Sequence, residues 1–127
     1  MFVCRFWWGD QLNIALIVIA TILGLAATAS AWAKISQRSD IIETLVRVGV
    51  PKRAVPLLAG LELLGALGLL VGIWSKPIGV AAAAGLTLYF AGAVIAHVRV
   101  KDPAKDITPA VVLFILATVT FILELTR

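Results

Sequence analysis

Four residues of this chain carry chemistry that their surroundings make costly: Glu62, His97, Lys34 and Tyr89, each inside or at the edge of a long apolar run. Glu62 weighs most. It lies within Ala54–Trp74, a run that reads AVPLLAGLELLGALGLLVGIW, where an ionised carboxylate costs several kcal/mol unless other groups shelter it. It follows the start of that run by about eight residues, or roughly 12 Å at 1.5 Å per residue. A glutamate stem is too short to reach water from there. Two readings of Glu62 are open. In one, the carboxyl is neutral or hydrogen-bonded to a neighbour and only sets helix register. In the other, it is a proton-binding or ligand-binding group tuned by its apolar surroundings.

Lys34 closes the first apolar run and, taken alone, reads as an interfacial lysine whose stem snorkels along apolar surface. His97 closes the third run and, taken alone, reads as an ordinary interfacial residue. Topology links them to Glu62. With four crossings, the end of the first run, the start of the second and the end of the third share one leaflet. Tyr89, eight residues before His97, then lies near the depth of Glu62 and can donate a hydrogen bond to it. The chain has no phosphate-binding loop, nucleophile elbow or Ser-His-Asp order that would point to a hydrolase. Its single cysteine, Cys4, excludes an internal disulfide, dithiol chemistry and Cys/His metal clusters, so no metal is expected.

The elements that must position these groups follow from composition. Of 127 residues, 61% are hydrophobic and only 14% charged, and the mean hydropathy is +1.05. A soluble domain of this length keeps more polar surface. Four apolar runs, at about 12–33, 54–74, 77–98 and 107–125, each have roughly the 17–25 residues that cross a hydrocarbon core. They must be helical, because only helices satisfy every backbone group within one segment. The expected fold is all-α: one domain, an integral membrane four-helix bundle. Ala29-Ser30-Ala31 resembles a signal-peptidase site, but the run around it exceeds a 7–15-residue signal core. The first helix is therefore expected to be retained.

The connections differ in kind. Ser75-Lys76 makes a tight antiparallel hairpin, and KDPAKD (Lys101 to Asp106) a short polar turn. The first connection, Lys34 to Arg53, is longer and patterned. Asp40 followed by Glu43 resembles a capping box, and Ile41, Ile42, Leu45 and Val46 recur at helical spacing. This predicts a short amphipathic helix on the membrane surface, ended by Gly49 and Pro51.

Charge sets orientation and partners. The side of the first and third connections carries Lys34, Arg38, Arg47, Lys52, Arg53, Arg99, Lys101 and Lys105, against Arg5, Lys76 and Arg127 opposite. That excess predicts cytoplasmic connections and external termini. The net charge of +4 is expected to face anionic lipid headgroups, not nucleic acid. Trp7, Trp8, Trp32 and Trp74 fall at predicted borders as anchoring indoles, and Glu124 reads as interfacial and solvated. Gly65, Gly68 and Gly72 share one side of the second helix, and Gly92 marks the third; small residues of this kind let helices approach closely.

The second run also carries a resemblance. Gly60-Leu61-Glu62-Leu63-Leu64-Gly65-Ala66-Leu67-Gly68-Leu69-Leu70 resembles the signature of the DoxX-like family of small bacterial membrane proteins. Ala33-Lys34-Ile35, Val48-Gly49-Val50-Pro51 and Gly92-Ala93-Val94-Ile95-Ala96-His97-Val98-Arg99 are similar to further family segments in the same order. The likeness spans roughly Ala33 to Ala110. It implies a four-helix protein of the bacterial plasma membrane. It implies no single reaction, since relatives have been linked to thiosulfate:quinone oxidoreduction, to oxidative-stress complexes and to membrane-protein assembly. With one cysteine, a redox part would consist of quinone docking or partner recruitment.

The expected function is an accessory subunit of a redox or envelope-associated complex, not an enzyme alone but at most part of a quinone-linked oxidoreductase. In it Glu62 and His97, with Lys34 and Tyr89 nearby, form a polar site for a quinone-like or lipidic ligand. The rival is an assembly subunit that docks a larger membrane complex, or a second copy of itself, through its small-residue faces. A third reading, a proton-coupled transporter, is weaker. Small multidrug transporters carry their essential glutamate in the first helix, whereas Glu62 is in the second.

Overall fold

In a computed structural model the described residues run from 2 to 127, with side chains described from Gln11 onward. Cys4, Arg5, Trp7 and Trp8 therefore have side chains outside the described residues. Four long helices form the bundle: α1 (Phe2–Ile35), α3 (Val55–Gly72), α4 (Lys76–Arg99) and α5 (Ala104–Thr126), with a short α2 (Ser39–Arg47) between the first two. Each long helix carries a segment long and apolar enough to cross a membrane: Gln11–Ile35, Lys52–Gly72, Lys76–Arg99 and Ala104–Thr126. The chain is a multi-pass membrane protein. No strand is present among the described residues.

Packing follows chain order. Helix α1 packs on α3, α3 on α4, α4 on α5, and α5 returns to α1, so the bundle is an up-and-down square. Its centre is narrow. Leu23, Ala27, Leu69, Ala83, Leu86, Phe90 and Ala117 form one buried cluster, while large side chains such as Leu25, Leu64 and Leu88 are 65–75% exposed. An apolar exterior of that extent is stable against acyl chains and not against water. Trp32 and Trp74, 68% and 80% exposed, stand at helix ends, where the polar edge of an indole suits the headgroup region.

Small residues decide how close the helices come. Gly68 faces Ala82, whose Cβ would lie 2.7 Å from a Cβ added at Gly68. Gly65 faces Leu86, and Gly72 lies against the backbone of Gly79. Gly92 departs from expectation: a Cβ there would meet nothing within 4 Å. It is exposed on the outer side of α4 and sets no helix contact.

Three boundaries differ from the hydropathy pattern. Helix α1 begins at Phe2, ahead of the apolar run, and α5 begins at Ala104, three residues before its first large apolar side chain. Pro103 is the N-cap of α5, and Asp106 in its first turn faces the positive end of the helix dipole, so the polar turn is already helical. The capping box is absent: α2 starts two residues early, with Arg38 at its N-cap and no side-chain cap. Asp40 is inside the first turn, and its Oδ2 accepts from Arg38 Nη2 at 3.2 Å. The amphipathic character of α2 stands, with no residue buried. It ends where Gly49 turns left-handed at φ +98°, a conformation glycine adopts without steric cost.

Candidate functional site

Helix α1 runs toward the face on which α2 lies, and α3 runs away from it. The last turn of α1 is therefore level with the first turns of α3. Lys34 is in that last turn, where a cation complements the helix dipole, and its flexible stem reaches down toward Glu62. Glu62 is fully buried and Lys34 is 8% exposed. Their charges meet directly, Lys34 Nζ donating to Glu62 Oε1. Lys34 Nζ also donates to Ser30 Oγ, one turn earlier on α1, at 2.8 Å. From α4, Tyr89 donates its hydroxyl to the same Glu62 Oε1 at 2.7 Å.

Two donors thus converge on one carboxylate oxygen. The other, Glu62 Oε2, is buried and has no hydrogen-bond partner. A buried acceptor left unmade costs about 1–3 kcal/mol, so this is the point at which the triad departs from a closed structural pair. Chemically, Glu62 can take one more donated hydrogen bond through Oε2, and the carboxylate and the Tyr89 phenol share a hydrogen bond along which a proton can pass. Beside it opens a groove of about 590 Å³ whose lining includes Lys34, Ile35, Val55 and Pro56, so Lys34 belongs to both.

His97 is placed elsewhere. Its Nδ1 donates to Asp102 Oδ2 at 2.7 Å, and Asp102 Oδ1 accepts from Arg47 Nε at 2.8 Å. Arg47 Nη2 reaches Asp106 Oδ2 at 3.1 Å. This second cluster ties the C-terminal end of α2 to the α4–α5 turn. Burial alone would raise the Asp102 carboxyl, but hydrogen bonds from His97 and Arg47, and the charge of both, outweigh it and hold Asp102 below its ordinary 3.8. The hydrogen bond from Arg47 to Asp102 in turn raises the guanidinium. A carboxylate with a depressed pKa stabilises the fold above its unfolded value and loses that contribution as pH falls through the folded one. The latch should therefore hold at neutral pH and open only as pH drops below 3.8. Arg47→Ala should open it at any pH. Faster amide exchange across Ser39–Arg47, with α3 unchanged, checks both.

Glu124 corrects the expectation of a solvated interfacial residue. It is 1% exposed, because Gly79 and Gly72 leave room for its carboxyl between α3 and α4. Arg127 Nε lies 2.8 Å from Glu124 Oε2; the pair is close as charges although misaligned as a hydrogen bond. The same guanidinium caps α3, donating to the carbonyls of Gly72 and Ile73. Sequence reasoning missed Ser30, Arg47 and Asp102. The usable signal was that Asp102 and Asp106 place two acids in the short turn between Lys101 and Asp106, across from the basic first connection.

No curated protein and no solved structure matches this chain. A model of the DoxX-like family matches residues 18–119, a stretch that carries Lys34, Glu62, Tyr89 and His97. That match takes in most of all four membrane-length helices and the connections between them, and the chain accordingly belongs to the DoxX-like family.

Proposed function

We propose that the protein is an accessory subunit of a redox or envelope-associated membrane complex, and that it holds a quinone-like or other lipidic ligand at Lys34, Glu62 and Tyr89. One observation carries this reading: Glu62 is fully buried at membrane depth, yet both neighbouring donors crowd onto Oε1 and Oε2 has none. A pair kept only for helix register gains most when every polar atom is satisfied. The ligand would supply a donor to Oε2 and accept the Lys34 N–H that is given to neither Glu62 nor Ser30, as the hydroxyl and carbonyl oxygens of a quinone couple do, while Tyr89 holds the carboxylate in place. With one cysteine in the chain, electrons would come from a partner protein. The connections would face the cytoplasm of a bacterial cell, in keeping with their excess of Lys and Arg.

The test is titration of the purified protein with a short-tailed quinone and its quinol. Glu62→Gln and Tyr89→Phe should each weaken binding on the order of tenfold, the cost of about one charge-assisted hydrogen bond. His97→Ala, which acts on the Asp102 latch, should bind as the parent does. Parental affinity in both triad variants would remove the reading. A second reading, docking of a membrane protein partner or a second copy, is favoured by the outer face of α4, where Ala81, Gly85 and Gly92 are exposed. Gentle co-purification from native membranes separates the two, since a Gly85→Leu variant should lose a partner and keep the ligand.

A further inference from the structure

The groove beside Lys34 has a charge pattern that the Glu62 triad does not explain. It lies between the end of α1, the underside of α2 and the start of α3. Its volume, about 590 Å³, is within the range of about 300–1,000 Å³ typical of ligand sites. One side is apolar, formed by Ile35, Ile42, Val46, Val55 and Pro56. Ile35 and Val46 are 49% and 47% exposed, and α2 above them buries nothing. The space under α2 is therefore one that acyl chains can fill and water fills poorly.

Three charged side chains line the groove: Lys34, Lys52 and Glu43. Lys34 is neutralised from behind by Glu62. Lys52 and Glu43 have no ion-pair partner among the described residues. The groove is thus neutral in sum but bipolar, with one cation and one anion to offer at its mouth. Ser39, the first residue of α2, lines it too, at a helix start without a side-chain cap, which favours an anion at that end.

We infer that the groove is a binding site for one phospholipid with an ethanolamine head. The phosphate sits at Lys52 and the start of α2, the primary ammonium donates to Glu43, and the acyl chains pass down the apolar wall. An anionic phospholipid would leave Glu43 opposed to its head. A choline head brings a cation with no N–H to donate. This inference does not rest on the quinone-like ligand, since none of the head's contacts uses Glu62 or Tyr89.

Native mass spectrometry of the delipidated protein, offered equal amounts of phosphatidylethanolamine, phosphatidylglycerol and phosphatidylcholine, tests it. One phosphatidylethanolamine should be retained per chain, at least fivefold over the other two. Lys52→Glu, at an exposed position, should reduce that retention on the order of tenfold. Glu43→Gln should erase the preference among the heads, and Val46→Trp, which fills the wall, should lower all three. Tyr89→Phe should leave the preference intact even where it weakens quinone binding, so the two proposals fail separately. Equal retention of the three lipids, or preference for phosphatidylglycerol, overturns the inference. So does displacement of the lipid by phosphoethanolamine alone at equal concentration.

Discussion

Replacing Lys34 with methionine should destabilise the protein by about 3–5 kcal/mol, because it leaves Glu62 as a charge with no counter-charge in the bundle. The expectation rests on burial: the carboxylate side chain is wholly inaccessible and the lysine side chain 10% accessible. Breaking one side of such a pair costs far more than removing both, since the cost comes mainly from the stranded ion. Lys34→Met combined with Glu62→Gln should therefore recover more than half of the loss, Tyr89 still having an amide oxygen to donate to. Thermal unfolding of the three variants in one detergent, read as a double-mutant cycle, gives the coupling directly. Additive losses would mean that the two residues do not sense each other.

The second large effect is steric. Gly79→Leu should cost at least about 3 kcal/mol, the upper end of overpacking in a closed core. A Cβ at that position would run into the Glu124 carboxyl, which the Arg127 guanidinium flanks at 2.8 Å. The substitution would also push Glu124 off Arg127, which caps the end of α3. The control is Gly85→Leu on the same helix, where nothing lies within 4 Å. There the change should be neutral or slightly stabilising, since leucine is the better helix former by about 0.5–1 kcal/mol. Similar midpoints for the two variants would refute the seating of the Glu124 carboxyl against Gly79.

The helices were legible in the sequence because lipid tolerates so few alternatives: a run of some twenty apolar residues must be a spanning helix. Helix count and side-of-membrane logic then placed Lys34, Glu62 and Tyr89 at one depth without any coordinates. Depth alone did not suffice for His97. It lies eight residues beyond Tyr89, about 12 Å further along the axis and roughly 80° around it, so it cannot share the carboxylate. Its actual partner depends on the α4–α5 turn. Lys101 adopts a left-handed φ of 56°, and the Asp102 amide returns to the His97 carbonyl at 3.1 Å. A lysine in that conformation is uncommon, and no pattern of residue types announces it. Glu124 was misread for a related reason. Counting residues gives height in the bilayer, whereas the space made by Gly72 and Gly79 on facing helices depends on which sides of α3 and α4 meet.

The seven-residue apolar cluster lies between Glu62 near one end of the bundle and Glu124 near the other. None of its side chains carries a group that can relay a proton. The bundle is therefore an insulator with a socket at each terminal. A proton taken up at Glu62 has no side-chain path through that cluster to Glu124, and would leave by the face through which it came.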